Sequence, residues 1–401
     1  MITHKPEPTH SKFWTPGVRI MTGIVALGSL FILARFFAGL GYVANFDNQH
    51  PWGIWIAIDV ATGVVLSAGG FMTALIVYIF DRRYYKTLVR PALLTATLGY
   101  TFVAVGVMFD LGRYWAVWHP LIYPQVNSVL FEVGICVMFY LTVLYIEFMP
   151  ILAEQYRGKV NLPGFLAKFN KPTESILSFV EEKIEKVIWI FIILGVVLSH
   201  MHQSSLGTLM LIAPTKMHQL WYSPLMPLMF LISAYAVAFP MVIFETTMAT
   251  KSLQLHDEME YLTPLSRIAM VIMGIYIVLK IADMAIRGTY TYLFDGSTES
   301  NAFMAELFLG MIIPFIMLIF KQVRNSRKLL TLVAVMIIGG VVLNRINVFL
   351  VAYNPPYAQH SYFPSFGEII ITVTFISCIM LLYRIAVTYL PILNAKKEEG
   401  K

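Results

Sequence analysis

Asp59, in WGIWIAIDVATG, and Glu132, in NSVLFEVG, stand in apolar runs with no opposite charge within four residues. Glu245, in VIFETTM, is placed the same way. A charge in such a setting costs at least ~2.5–3.5 kcal/mol at a bilayer centre, so ionisable groups there are functional candidates. Carboxyl groups of this kind suit proton uptake and release, and an imidazole or guanidinium beside them suits hydrogen bonding to a polar ligand. His200 and His202 (SHMHQSS), Asp110 and Arg113 (FDLGRYW), Lys280 and Asp283 (LKIAD), and Asn344 and Arg345 (LNRI) extend the set. The pairs at a spacing of three could equally neutralise each other within one helix. Glu147 lies near the end of its run, where an acidic side chain reaches water readily.

Metal and haem chemistry are poorly served. Cys136 and Cys378 are the only cysteines, both inside apolar runs, so neither a disulfide framework nor an iron–sulfur ligand set exists. His4, His10, His50, His119, His218, His256 and His360 fall in loops or termini. His200 and His202 share one helix, two residues and so about 200° apart, and cannot clamp one haem. The expectation is therefore no metal site and no haem. Any electrons that pass must come from a partner's cofactor and leave on a diffusible carrier.

The elements that position these groups are membrane spans. The chain is 58% hydrophobic and 13% charged, against about 25% charged in soluble domains. Mostly apolar runs occur at 20–40, 53–80, 91–112, 126–150, 187–212, 222–248, 266–286, 301–320, 328–351 and 365–391, each of the ~20 residues a crossing needs. The expected fold is all-α and polytopic, a single bundle of about ten transmembrane helices over residues 1–401. The polar N-terminus lacks a small-residue cleavage site, so the first run reads as a retained helix. Residues 173–186 place Ile176, Phe179, Val180 and Ile184 at helical spacing. They form either a cytoplasmic amphipathic helix or an extension of the fifth span.

Basic residues set the orientation. One alternating set of loops carries 22 Lys and Arg, and the other only Arg113, Lys216 and Arg287. The positive-inside rule puts the first set, with both termini, in the cytoplasm. The net charge of +6 is scattered through these short loops, not clustered on a soluble face, and implies no nucleic acid. In that frame Asp59, Asp110, Arg113, Glu132, His200, His202, Lys280, Asp283, Asn344 and Arg345 all fall in the periplasmic half. Glu147 and Glu245 lie near the cytoplasmic ends of their helices.

The motifs LVRPALL, DLGRYW, NSVLFE, MHQSSLGTLM, VIFE and YFPSFGE resemble the NrfD-like polysulfide-reductase membrane-anchor family, and within it the membrane subunits of bacterial nickel–iron hydrogenases of the hydrogenase-2 type. The resemblance runs from about Pro51 to Pro391. It implies a multi-pass inner-membrane subunit of a hydrogen:quinone oxidoreductase complex that holds no catalytic metal itself. The implied partners are a periplasmic ferredoxin-like iron–sulfur subunit and the large and small subunits of a nickel–iron hydrogenase, with menaquinone or ubiquinone as substrate. Asp59, Arg113, Glu132 and His202 fall at positions the resemblance assigns to quinone binding. Glu132, Glu245 and Asp283 are the expected proton path. The same anchor could serve a molybdenum-dependent reductase. A proton-coupled transporter would favour inverted repeats with matched helix breaks, and Pro227, Pro240 and Pro314 are not matched that way.

The topology has a direct test. A reporter active only in the periplasm, fused after Tyr357, is expected to give signal, and after Lys397 none; the reverse pattern would invert every depth assignment above.

Overall fold

Backbone N–H and C=O groups find no water in lipid, so an apolar run that crosses a bilayer must close its own hydrogen bonds as a helix. The computed structural model describes residues 6–9, 11–255 and 258–394. His4, His10 and His256, and the basic residues Lys5, Lys396, Lys397 and Lys401, lie outside them. Among the described residues there are ten helices long and apolar enough to span, and the only β-type pairing is a lone bridge between Met217 and Tyr353. The spans are α1 (Pro16–Phe37), α2 (Trp55–Ile79), α3 (Arg83–Asp110), α4 (Val129–Tyr156) and α5 (Gly164–Ile212), followed by α6 (Met226–Leu253), α7 (Met259–Arg287), α8 (Thr298–Ile319), α9 (Arg327–Val351) and α10 (Phe366–Tyr389). The chain is a multi-pass membrane protein.

Helix α2 is the centre. Its most apolar stretch is 83% buried, against 11% for α1, and it packs on α3, α5, α6, α9 and α10. Its sequence is apolar all round, as a helix enclosed on every side must be. Ala57, Ala61, Gly69 and Ala68 let neighbouring backbones approach. A π-helical stretch over Trp55–Thr62 opens α2 and contains Asp59; such widened turns recur at functional sites. Residues 173–186 run without a break into α5, which is 49 residues long, far more than the ~20 a bilayer needs. The extra turns pack along the end of α4. Leu177 and Val180 bury beside Ala153, while Arg157 binds Glu181 and Glu182.

The tightest crossing joins α8 to α9. A Cβ built on Gly340 would lie 2.2 Å from the Gly310 Cα, so the two backbones touch. The helices run antiparallel, and one turn away from this contact Glu306 (four residues before Gly310) meets Asn344 (four after Gly340), Nδ2 to Oε1, at 2.8 Å. The small residues thus set the register of the polar pair above them.

Gly340→Ala is expected to cost about 1–3 kcal/mol through overpacking, read as a lowered thermal midpoint in detergent. Gly339→Ala, where a Cβ meets open space, is expected to leave it unchanged. Equal effects from the two would show that the α8–α9 contact does not set the packing.

Candidate functional site

Polar side chains gather at the end of the bundle where α2, α4, α6, α8 and α10 begin, in three groups. In the first, the imidazole of His202 is fully buried on α5 and its Nδ1 lies 3.2 Å from the Tyr100 hydroxyl on α3. The Tyr140 ring meets Tyr100 edge-on at 4.5 Å. One turn beyond His202, the Ser205 hydroxyl donates to the Glu132 carboxylate on α4. Helical periodicity explains the grouping: Ser199, His202, Gln203, Ser205 and Leu206 form the buried stripe of α5. Gln203 Nε2 donates to the Val64 carbonyl of α2 at 2.9 Å. His202 Nε2 and Gln203 Oε1 are buried without a hydrogen-bond partner among the described residues. Glu132 itself is exposed on the outer surface of α4. His200 points elsewhere, its ring against Phe71 and Tyr235.

The second group lies between α1, α2, α3 and α10. Asp59 accepts from the Thr372 hydroxyl at 2.7 Å. Arg35, 2% exposed, donates to the carbonyls of Phe109 (2.9 Å) and Leu111 (2.7 Å), and so satisfies the orphan carbonyls that end α3. The Arg113 side chain is exposed in the loop after α3. The in-helix pairing of Asp110 with Arg113 allowed by their spacing does not form, and Asp110 Oδ1 is buried without a hydrogen-bond partner among the described residues. Glu368 caps α10 with Ser365, accepts from Asn45 N at 2.8 Å, and accepts from the Tyr362 hydroxyl. Burial, then the adjacent Glu368 carboxylate, push the Tyr362 phenol well above its ordinary pKa and keep it a donor.

The third group centres on Glu306. One carboxylate oxygen accepts from Lys280 and from Asn344; the other accepts from the Trp221 indole and Asn347 Nδ2, each at 2.9 Å. Arg345 is fully buried, donates to Asn344 Oδ1 and Ser233 Oγ (2.5 and 2.7 Å), and stacks 3.8 Å from the Phe230 ring centre. Lys280 and Asp283, three apart, do not pair. Asp283 accepts from Ser223 and binds Arg287. Lys280, Asp283, Trp221 and Asn344 line a cavity of about 40 Å³, room for only a few waters at ~10–15 Å³ each.

Of the residues singled out in the sequence, Glu132 and His202 come together through α5. Asp59 joins the second group and Asp283 the third, while Arg113 stands outside. Glu245 lies at the far end of the bundle beside Thr95 and Tyr383. Glu306, Glu368 and Arg35 were missed, although an acid in FMAELFLG and a base in ILARFF carry the same signal that marked Glu132.

A family model described as polysulphide reductase, NrfD, matches residues 42–355. A protein of Nitratidesulfovibrio vulgaris Hildenborough is 36% identical over 96% of each chain. The probable Ni/Fe-hydrogenase 2 b-type cytochrome subunit of Escherichia coli K12 is 33% identical, covering 99% of this chain and 97% of its own. The menaquinone reductase integral membrane subunit of N. vulgaris is 25% identical over 97% and 94%.

The residues present do not fit a haem held by two facing histidines. Within the ten spans histidine stands only at His200 and His202, both on α5 and both turned to aromatic neighbours. A reduced-minus-oxidised spectrum of the purified chain is expected to lack a b-type band. A stoichiometric band would refute this and require an axial ligand other than a second helix's histidine.

Proposed function

The chain belongs to the NrfD polysulphide reductase family, and from that membership we propose that it is the quinone-reactive membrane subunit of a respiratory complex. It takes electrons from a partner iron–sulfur subunit and delivers them, with protons, to a quinone. Kinship with a hydrogenase-2 subunit and a menaquinone reductase subunit supports the reading. The partners are then the large and small subunits of a nickel–iron hydrogenase, the catalytic subunits carrying the metal chemistry. Both termini face the cytoplasm, which places the polar end of the bundle toward a periplasmic partner.

The observation that carries the proposal is the linked pair Glu132–Ser205 and His202–Tyr100. Reducing a quinone consumes two electrons and two protons, so the headgroup must lie beside groups that hand over protons. Glu132 stands on the outer surface of α4, where a quinone arriving through lipid meets it first. Ser205 ties it to the helix that carries His202, whose Nε2 has no hydrogen-bond partner among the described residues and is available to donate to a quinone oxygen or to pass a proton. Asp59 on α2 and Arg113 in the loop after α3 lie at the same end of the bundle and would act on the quinone from outside this pair. Glu245, at the opposite end, starts a proton path toward Glu132, and Asp283 serves the cavity between α6 and α9. With electrons entering at one face and protons at the other, turnover moves charge across the membrane.

A second reading, the same anchor serving a reductase instead of a hydrogenase, is favoured by the menaquinone reductase relative. Identifying the subunits that co-purify separates the two, since hydrogenase subunits fit only the first. The quinone site itself is tested by Glu132→Gln, which keeps shape and removes the acid. The complex is expected to assemble and its partner subunits to reduce an artificial dye normally, while quinone reduction falls roughly a hundredfold or more, the usual weight of acid–base catalysis. Quinone reduction at the wild-type rate would leave Glu132 a structural residue and sink the proposed path.

A further inference from the structure

The loop between α1 and α2 and the loop between α9 and α10 meet above the second polar group. Gln359 N donates to Gln49 Oε1 at 2.8 Å, and Trp52 Nε1, in the first of these loops, donates to the Phe349 carbonyl in the last turn of α9 at 3.0 Å. At this seam sit a carboxylate and two imidazoles. His360 Nε2 lies 3.1 Å from Asp47 Oδ2, and His50 Nδ1 lies 3.8 Å from Asp47 Oδ1. One ligand atom from each of the three residues falls within 4.8 Å of the other two. The Asp47 carboxylate is held in place, accepting from the backbone N–H groups of Gln49 and His50 at 2.8 Å each.

An exposed Asp–His pair alone would be an ordinary surface contact of little weight. His50 makes the difference. It is only 6% exposed, and its Nδ1 is buried without a hydrogen-bond partner among the described residues. Leaving such an atom unmet costs about 1–3 kcal/mol, and the atom faces the carboxylate that His360 also faces.

We propose that Asp47, His50 and His360 bind a divalent metal ion of the zinc class and that the ion joins the first periplasmic loop to the last. The donor set argues for that class: imidazole nitrogens with one carboxylate and no thiolate suit Zn²⁺ and its first-row neighbours better than Ca²⁺ or Mg²⁺, which prefer all-oxygen shells. Zinc–ligand bonds of about 2.0–2.1 Å put tetrahedral ligand atoms roughly 3.4 Å apart, so small side-chain rotations close the site around an ion. The Asp47 and His360 side chains are 40% and 54% exposed, which leaves an approach from water and room for a water ligand. Bound there, the ion reinforces the seam that Glu368 makes with Asn45 and Tyr362.

The experiment uses the full chain purified in detergent through a tag without histidine, stripped with EDTA and titrated with ZnCl₂ by calorimetry and thermal unfolding. Wild type is expected to take up one zinc reversibly and to unfold at a higher temperature with it, because an ion that binds only the folded state stabilises it. His360→Ala and Asp47→Asn change exposed side chains and are expected to keep the metal-free midpoint. Each is expected to weaken zinc binding roughly tenfold or more, at least the loss usual for an outer-shell group, and to lose the zinc-dependent rise in midpoint. No saturable binding to the wild type, or equal binding to wild type and both variants, overturns the assignment; the second result would place the zinc at other histidines.

Discussion

Glu306 holds a carboxylate inside a bundle that lipid surrounds, and four donors from three other parts of the chain converge on it. Much of the second half is built around that fact. An acid buried alone would be prohibitive, and an acid paired with one lysine only would still leave lone pairs unmet. Lys280 on α7, Asn344 and Asn347 on α9 and Trp221 before α6 meet both oxygens, so a shift of any of these elements would leave part of the carboxylate unmet. The glycine contact one turn away fixes how closely α8 and α9 approach. Backbone proximity and polar satisfaction therefore specify the same register.

The first half uses the opposite device. Asp59, Arg35 and Glu368 do not share a hub; each is satisfied locally, by Thr372, by the end of α3, and by the cap of α10. The α3–α4–α5 group lies between these regimes. It is polar and largely buried, yet it leaves His202 Nε2 and Gln203 Oε1 unmet among the described residues and carries Glu132 exposed in the first turn of α4. A fully satisfied network rigidifies, whereas a partly satisfied one retains capacity to bind something else. The Glu306 group leaves Asn347 Oδ1 and Arg345 Nε unmet as well, but both oxygens of its acid are filled from four donors, whereas Glu132 receives the Ser205 hydroxyl alone.

The ten helices were legible because lipid permits no other local structure for runs of that length, and the loop charges alternate without exception. The pairing of the polar groups was not. Lys280 and Asp283 sit one turn apart, but their partners are Glu306 on α8 and Arg287 on the next turn of α7. Asp110 and Arg113 have the same spacing, yet the helix ends at Asp110 and Arg113 leaves with the loop, while the Arg35 guanidinium goes to the carbonyls of Phe109 and Leu111. Spacing along one helix says which side chains share a face, not which neighbouring helix turns a better donor toward it. Glu306 and Arg35 were visible as charges in apolar runs, but only the crossing helices reveal their weight.

The pairing of α1 with α10 bears on how the protein is made. Membrane helices enter the bilayer in the order of synthesis, so α1 arrives first and its long packing surface arrives last. Until α3 follows, α1, most of whose surface faces outward in the finished bundle, has Arg35 without the carbonyls that receive it. Its guanidinium finds acceptors after two more crossings, and its apolar face waits for the whole chain. Closure of the bundle between α1 and α10 therefore waits until α10 has been made, and before that the chain is an open fan whose two outermost blades have yet to meet.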